Sequence, residues 1–294
     1  MVSPRARGLF QQAILQSVGV MRPMCSLPQA EAFGMQVGPN LRELRRMEAS
    51  ALVDRLRSVQ PSVREMTSPR ALGVIVDGSV LPEADADLYR RGAHERIPML
   101  VGSNADEGAG MAKNLPIATK AAFEAYLDRN FVGDESRARA AYPIATDADV
   151  RPALHRLVAD AQYLYGTREM LRIVSASSSR VYRYVFDQRR NGGAAAPIHG
   201  DELQYVFDNL DASHRGRQRP SDAADSTLAR EMADAWVRFV ASGNPNGGDL
   251  PAWPTYDPRD ERYLTLGKDP SVRTLGAQPA LDMIRDYYDR KRYA

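Results

Sequence analysis

The chain has 294 residues, 44% of them hydrophobic and 26% charged, a composition that suits a folded globular protein and excludes a disordered, collagen-like or coiled-coil chain. Its 39 basic and 37 acidic residues leave a net charge of +2, and because the basic residues are scattered, no nucleic-acid partner is expected. The single cysteine, Cys25, excludes an intrachain disulfide, and no apolar run reaches the roughly 20 residues that cross a bilayer. We expect a soluble chain, cytoplasmic or secreted, with Cys25 buried as a small apolar residue.

Apolar periodicity divides the chain into strands and helices. In chain order the predicted elements are a strand at 13–16, helices at 31–38 and 40–59, a strand at 97–101, helices at 121–131 and 153–174, a strand at 181–186, a helix through 232–240, a strand-like end to the turn-rich segment 251–266, and a helix at 281–292. Continuous apolar strands that alternate with helices are typical of a parallel sheet covered on both faces. The sequence has no repeat and no linker, which predicts a single α/β domain over residues 1–294.

For three of these helices, the sequence also predicts an apolar face that is buried in the core. The helices at 31–38 and 40–59 should face the core, because apolar residues recur in the second with a period near 3.6. The helix that Gly243 ends should bury one apolar stripe. This stripe consists of Met232, Trp236, Phe239 and Val240.

The loop after the strand at 97–101 is the first candidate for a functional site. Gly102 ends the predicted strand, and the sequence Ser-Asn-Ala-Asp-Glu-Gly follows it. Parallel α/β sheets place catalytic groups beyond the carboxyl ends of their strands, so Glu107 is a candidate catalytic carboxylate if a partner lies nearby. For Asp106 we favour a solvated or helix-capping role.

A histidine would be a suitable partner for this carboxylate, and the chain has four: His94, His155, His199 and His214. His199 stands in the sequence Pro-Ile-His-Gly-Asp-Glu, on the loop after the strand at 181–186. The other three have polar or charged neighbours, which indicates solvated surface positions. From the residues alone, a surface position explains His199 as well as a catalytic one does.

Other kinds of site find little support in the sequence. No His-Glu-x-x-His pair is present, and the acidic residues at 83–87 lack the turn glycine and final glutamate of a calcium loop, so no metal is expected. No glycine-rich phosphate-binding motif occurs. Asp106, Glu107 and Asp201 could form an acid pair for glycoside hydrolysis, but only their charge favours this alternative.

Five groups of short motifs, spread over nearly the whole chain, together form a pattern that is specific enough to compare with known families. They are Ser-Pro, Gly-Leu-Phe and Ala-Ile-Leu-Gln-Ser within 3–17; Val-Asp-Gly and Leu-Pro within 76–82; Val-Gly-Ser-Asn and Asp-Glu-Gly within 101–108; His-Gly-Asp-Glu-Leu and Tyr-Val-Phe within 199–207; and Trp-x-x-Phe, Gly-Asn-Pro-Asn and Trp-Pro within 236–254. In this order and spacing they resemble the type-B carboxylesterase and cholinesterase family of α/β-hydrolases, and its bacterial para-nitrobenzyl-esterase-like members most closely.

The resemblance implies roles for three residues. In this family a nucleophilic serine, a glutamate and a histidine follow one another along the chain, and the matching motifs place the acid on Glu107 and the base on His199. The carboxylate would orient the imidazole, which would take the proton of the attacking serine. Ser17 would be a second hydroxyl that steadies Glu107; a serine that caps the end of a strand is the alternative. The implied substrate is a small carboxylic ester, and no cofactor is implied.

The resemblance fails at the nucleophile. The family's serine lies in a Gly-x-Ser-x-Gly elbow, and no serine of this chain is flanked in that way. The longest glycine runs are the pairs at 192–193 and 247–248, so the glycine-rich oxyanion loop is missing as well. The resemblance therefore implies the C-terminal half of an α/β-hydrolase, without its N-terminal strands and nucleophile elbow. We expect this half to be inactive alone and, with the strand at 13–16 as an open edge, poorly soluble or molten.

Three explanations of this pattern stay open. The chain could be part of a longer esterase whose start was assigned at an internal methionine. It could be one half of a split enzyme that a complementing N-terminal half completes. It could also be a non-catalytic interaction module that kept the fold. The presence of both Glu107 and His199 argues mildly against the third explanation, because a binding module needs neither residue.

Overall fold

A mixed sheet of five strands runs through the protein, whose computed structural model describes residues 1–61, 63, 65–178, 180–211 and 220–293. The strands are β1 (Ala13–Gln16), β2 (Met99–Asn104), β3 (Val181–Phe186), β4 (Arg262–Leu266) and β5 (Ser271–Thr274). They are neighbours in chain order; β1 to β4 are parallel and β5 is antiparallel to β4. The carboxyl ends of β1, β2 and β3 therefore lie at the same edge of the sheet.

Helices cover the two faces of this sheet. In chain order they are α1 (Leu27–Val37), α2 (Leu41–Leu44), α3 (Ala49–Ser58), α4 (Asp85–Arg90), α5 (Ala109–Ala112), α6 (Lys120–Asn130), α7 (Glu135–Ala141), α8 (Val150–Ala159), α9 (Tyr165–Ser175), α10 (Leu203–Val206), α11 (Ala223–Ser242) and α12 (Pro279–Tyr293). A π-helical turn, Asp160–Leu164, joins α8 directly to α9, and short 3₁₀ turns occur at Pro4–Ala6, Asp147–Asp149 and Arg190–Gly192. The predicted α/β class, a mostly parallel sheet flanked by helices, is confirmed.

The core consists of two layers that share strand β2. All six residues of β2 are buried, and because side chains alternate along a strand, neighbouring residues face opposite layers. Val101 packs in the layer that contains α8, α9 and α12, whereas Leu100 packs in the layer that contains Trp236 and Phe239 of α11. Burial on both faces explains why this strand is a continuous apolar run.

Most predicted elements are present, with one shifted strand. The strands at 13–16 and 181–186 have the predicted bounds, but the strand predicted at 97–101 begins at Met99 and extends to Asn104. Gly102 does not end this strand: the ring of Tyr184 covers it so closely that a Cβ would lie 2.2 Å from a ring carbon. The glycine is a site of close packing, which apolar periodicity does not distinguish from a strand end.

The core-facing prediction for the helices at 31–38 and 40–59 is wrong. The second is divided into α2 and α3, which bury no residue, and α1 buries only Val37. Leu41 of α2 is 60% exposed. In α11, Gly243 ends the helix in the left-handed conformation as predicted, but Val240 of its stripe is 59% exposed. Periodicity predicts an apolar face; whether another element covers that face depends on the packing of distant segments. Cys25 is buried, as predicted.

Strand β1 lies at the edge of the sheet. It pairs with β2 through Ala13 to Gln16, and in the part of the chain that the structure describes no strand pairs with its other side. All four of its residues are half-buried. An edge with unpaired backbone groups and partly exposed apolar side chains favours association with another chain. We expect the isolated chain to show concentration-dependent association in sedimentation velocity experiments. A dilute monomer that melts sharply and does not associate on concentration would contradict this expectation.

Candidate functional site

Three residues that follow the carboxyl ends of β1, β2 and β3 meet at one edge of the sheet. Ser17 follows β1 directly, Glu107 comes three residues after β2, and His199 lies on the loop between β3 and α10. His199 Nδ1 is 2.7 Å from Oε2 of Glu107, a residue 92 positions away. The parallel order of the strands thus brings together the two residues that sequence analysis selected.

Glu107 is held on both of its carboxylate oxygens. The residue is fully buried, and its Oε1 accepts hydrogen bonds from Ser17 Oγ at 2.5 Å and from the backbone N–H of Asn104 at 2.6 Å. A carboxylate only accepts hydrogen bonds, so the ring proton of neutral His199 belongs on Nδ1 and its lone pair on Nε2. With 40% of its side chain exposed, His199 presents a basic nitrogen in a fixed tautomer.

Ser17 adopts a conformation that few non-glycine residues use. Its φ is +53°, in the left-handed region, which costs free energy for a residue with a Cβ. Its backbone N–H donates to the carbonyl oxygen of Gly102, and its hydroxyl donates to Glu107. The contact that the resemblance implied for Ser17 is therefore present, and the hydroxyl is directed to the acid.

The ring of His199 is stacked on Tyr163, which lies in the π-helical turn. The two ring centroids are 4.8 Å apart and the ring planes differ by 29°, and the Tyr163 hydroxyl lies 3.4 Å from Sδ of Met111. A π-helical turn shifts the register of the residues that follow it and occurs often at functional sites. The apolar pattern over 153–174 predicts a regular helix, so sequence analysis gives no signal for the π-helical turn or for Tyr163.

Asn104 and Glu202 support the loop that carries His199. Asn104 Nδ2 donates to the carbonyl oxygen of Ile198 at 2.7 Å and to Oε2 of Glu202 at 2.5 Å, and Gln16 donates to the other oxygen of Glu202 at 3.0 Å. Asn104 and Glu202 are both buried. Sequence analysis missed these roles too, although a polar residue at the end of an otherwise apolar strand and an acid three residues after His199 are signals for them.

Asn104→Ala should destabilise the protein, because it leaves the buried Glu202 carboxylate with one hydrogen bond fewer and detaches the Ile198 loop. We expect the free energy of unfolding to fall by about 1–3 kcal/mol, measured by urea denaturation. Asn114→Ala is the matched control, since Asn114 is exposed, and it should change stability by less than about 0.5 kcal/mol. Equal effects of the two substitutions would show that the Asn104 contacts do not hold the loop.

One of the other histidines, His94, does not have the solvated surface position that the sequence predicted. His94 is not solvated: it is buried, its Nε2 lies 2.9 Å from Ser177 Oγ, and burial lowers its pKa. His155 is half-buried and its Nδ1 lies 3.3 Å from Asp106 Oδ2. Asp106 also accepts the backbone N–H of Ala109 at the start of α5, which is the capping role that we favoured. His214 lies outside the described residues.

The described residues contain neither a metal-binding cluster nor a membrane-spanning helix. In the ranges that the structure describes, no three His, Cys, Asp or Glu side chains are grouped as ligands for a metal ion. Within the same ranges, no helix has the length and apolar character that crossing a membrane requires.

Comparison with known proteins gives consistent matches along the chain. The model of the carboxylesterase family matches residues 1–284. The fumonisin B1 esterase of Sphingopyxis macrogoltabida is 38% identical over 286 residues, which cover 95% of this chain and 53% of that protein. The acetylcholinesterase of Bungarus fasciatus is 27% identical over 317 residues, which cover 96% of this chain and 51% of that protein. The chain thus spans about half the length of the curated relatives it matches.

Solved structures show the same fold. A thermophilic PNB esterase superposes with a TM-score of 0.77 at 21% sequence identity, covering 96% of this chain and 59% of that chain. A second PNB esterase structure superposes with a TM-score of 0.75 at 22% sequence identity, covering 98% of this chain and 59% of that chain. At these identities the likeness concerns the fold, and it agrees with the parallel sheet and flanking helices described above.

Proposed function

Because this chain belongs to the carboxylesterase family, we propose that it supplies the acid Glu107 and the base His199 of a Ser-Glu-His ester hydrolase. The nucleophilic serine lies on a polypeptide segment outside these 294 residues. One observation carries the proposal, the 2.7 Å contact between His199 Nδ1 and Glu107 Oε2. A fully buried carboxylate that binds the ring of a partly exposed histidine is the arrangement that general-base catalysis requires.

The first half of the reaction transfers the acyl group to the enzyme. His199 Nε2 takes the proton of the serine hydroxyl while the serine oxygen forms a bond to the ester carbonyl carbon. The imidazolium that results donates its Nδ1 proton in a hydrogen bond to Glu107, whose negative charge stabilises it. His199 then gives the Nε2 proton to the alkoxide oxygen as the bond from the carbonyl carbon to that oxygen breaks, and the alcohol leaves.

The second half restores the free serine. His199 Nε2 takes a proton from a water molecule, whose oxygen attacks the acyl carbon. The bond between that carbon and the serine oxygen breaks, and the proton returns to the serine while the carboxylic acid leaves. Glu107 stays ionised throughout. Its Oε1 accepts hydrogen bonds from the Ser17 hydroxyl and from the backbone N–H of Asn104. Glu107 is thereby oriented toward His199 in both halves of the cycle.

The open side of β1 supports a second segment as the source of the serine. β1 is a parallel edge strand whose four residues are only half-buried, although Ile14 and Leu15 are apolar. A strand that pairs there would end near Ser17, since parallel strands end at the same edge of the sheet. A serine placed directly after such a strand would lie close to His199. This segment belongs to the same longer polypeptide or to a complementing chain.

The similarity to a fumonisin B1 esterase and to an acetylcholinesterase suggests substrates for a first assay. Both names describe hydrolysis of carboxylic esters, so short p-nitrophenyl esters are suitable general probes and fumonisin B1 is a suitable specific one.

The test is a chimera in which the half of the Sphingopyxis esterase that this chain does not match is joined to Met1. At 38% identity between the matched parts, we expect that half to dock along β1 and to provide the serine. The chimera should hydrolyse p-nitrophenyl butyrate, whereas the 294-residue chain alone should not. Hydrolysis by the chain alone that His199→Ala abolishes would show that the nucleophile lies within it.

A folded chimera that hydrolyses no ester would contradict the proposal. In that case the non-catalytic interaction module becomes the better explanation. Binding of a partner protein that is unaffected by the double substitution of Glu107 and His199 would then support it. The intact mass of the native protein, compared with the 32.5 kDa of this chain, distinguishes a longer esterase from a split one.

A further inference from the structure

Two arginines converge on a single buried side chain near the acid–histidine pair. Nη1 of Arg22 and Nη2 of Arg70 both donate hydrogen bonds to Oε1 of Gln162. Gln162 is 1% exposed, and its Nε2 donates to the carbonyl oxygen of Met66 at 2.8 Å, which fixes the orientation of the amide. Two guanidinium groups, one from the loop after β1 and one from a distant loop, are thus brought to the same oxygen.

The positive charge of this pair is not neutralised within the described residues. Besides Gln162, the Arg22 guanidinium donates to the carbonyl oxygen of Gly19, which is uncharged, and the buried Nε of Arg70 has no acceptor among the same residues. Burial and the charge of Arg70 lower the pKa of Arg22. The charge of Asp85 acts against this lowering of the Arg22 pKa, and Asp85 Oδ2 accepts the backbone N–H of Met21. Two adjacent guanidinium groups, one of which has an N–H without an acceptor, are suited to bind an anion.

The arginines line a cavity that is otherwise mostly apolar. Its volume is about 490 Å³, which is enough for a small organic molecule. Apolar side chains of β1 and of the loops around it form much of the wall, among them Leu15, Val18 and Leu81. A ligand that fits this lining has an apolar part and one anionic group. A carboxylate matches the forked donors of arginine, and two guanidinium groups can hold both of its oxygens.

The cavity adjoins the acid–histidine pair along two segments of chain. Val18, in its wall, follows Ser17, which binds Glu107. Gln162, which holds the two arginines, precedes Tyr163, which stacks on His199. Consecutive Cα atoms are only about 3.8 Å apart, so the backbone that carries the cavity wall and the arginine contact continues directly into the residues that contact Glu107 and His199.

We propose that Arg22 and Arg70 bind a free carboxylate of the ester substrate, so that the preferred substrates are monoesters of dicarboxylic acids. This proposal rests on the proposed function, since it assigns a substrate class to the same site. The apolar wall contacts the carbon chain, the guanidinium groups bind the remote carboxylate, and the ester carbonyl lies toward His199. A carboxylate side chain from the completing segment is the other source of the same chemistry, and the experiment separates the two.

Binding is measured first on the 294-residue chain, by isothermal titration calorimetry with monoethyl succinate and with its neutral counterpart ethyl butyrate. We expect monoethyl succinate to bind at least about tenfold more tightly, because charge-assisted hydrogen bonds favour the anion. Arg22→Gln and Arg70→Gln should each remove most of this preference. Arg46→Gln, at an exposed arginine, should keep it. Equal binding of the two esters, or a preference that survives both arginine substitutions, overturns the proposal.

Gln162→Glu separates ligand recognition from a structural role of the arginines. The new carboxylate would pair with both guanidinium groups from within the chain, so the melting temperature should rise while the preference for monoethyl succinate is lost. A purely structural arginine cluster would give the higher melting temperature with ligand binding unchanged. That result, too, overturns the proposal.

The chimera then distinguishes the two sources of the carboxylate. If the substrate supplies it, the chimera hydrolyses monoethyl succinate at least about tenfold faster than ethyl butyrate in kcat/KM, and Arg70→Gln abolishes the difference. If the completing segment supplies it, the arginines are already paired and the chimera shows no preference, which overturns the proposal. A chimera that hydrolyses neither ester, although the chain binds monoethyl succinate through its arginines, contradicts the proposed hydrolysis and supports the carboxylate site.

Discussion

His199→Ala should lower kcat of the chimera by about 10³- to 10⁴-fold or more, because the serine loses the base that takes its proton. Glu107→Gln should cost a similar factor: an amide can present an N–H to Nδ1 and so favour the wrong tautomer of His199. The measurement is the steady-state rate of p-nitrophenyl butyrate hydrolysis. KM should change little, since neither residue is assigned to ground-state binding of the ester.

His155→Ala is the matched control for this prediction. His155 is a half-buried histidine that also contacts a carboxylate, Asp106, and it is not assigned to the reaction. We expect kcat to change by less than about threefold, in keeping with the small effect of most substitutions outside the core. A loss in His155→Ala as large as that in His199→Ala would mean that the loop, and not the base, had been disrupted.

Arg168→Met should produce the largest loss of stability among the substitutions considered. Arg168 and Glu261 are both buried, and Arg168 donates to Glu261 at 2.8 Å and to Asp282 at 2.8 Å. Removing the arginine leaves Glu261 buried with Arg172 and the Tyr256 hydroxyl as its remaining partners. Breaking one partner of a buried ion pair costs about 3–5 kcal/mol, and chemical denaturation of the 294-residue chain measures it.

An ion pair nearer the surface provides the comparison. Arg91 and Glu83 are 2.8 Å apart with both side chains more than a third exposed, so Arg91→Met should cost less than about 1 kcal/mol. A loss in Arg168→Met no larger than this would show that water reaches Glu261. Because unfolding is measured and not catalysis, this substitution tests the fold without depending on the proposed activity.

The buried acids should also make stability depend on pH in two directions. Burial opposes the charged form of Glu261, but the hydrogen bond and charge of Arg168 outweigh it and lower the pKa of Glu261 below its usual 4.5. Its contribution is present above that value and is lost as the pH falls through the lower folded pKa. Burial raises the pKa of Asp160 to about 7, so the fold loses stability as the pH rises from about 4 to about 7, the range in which the unfolded chain releases this proton and the folded one keeps it.

The sequence predicted the α/β class and Glu107 as a candidate from local patterns, whereas His199 was selected over a surface position only through the family resemblance. Apolar runs such as the one at 181–186 mark buried strands, and polar residues that follow strand ends in a parallel sheet share one edge. The carboxylesterase resemblance, carried by motifs at fixed spacing, is confirmed by the match of the family model over residues 1–284. The assignment of catalytic roles to Glu107, His199 and Ser17 stays a prediction.

Only the tertiary structure decided which groups meet across long stretches of chain. The convergence of Arg22 and Arg70 on Gln162 joins residues 140 and 92 positions apart, and no local period connects them. Burial, too, depends on residues that are distant in the chain. The apolar residues of α2 and α3 recur at helical spacing, yet none of them is buried. His94 has polar and charged neighbours in the sequence, yet it is buried. Local pattern determines the type of an element and its apolar face, but the path of the chain between elements determines what that face and each charge will contact.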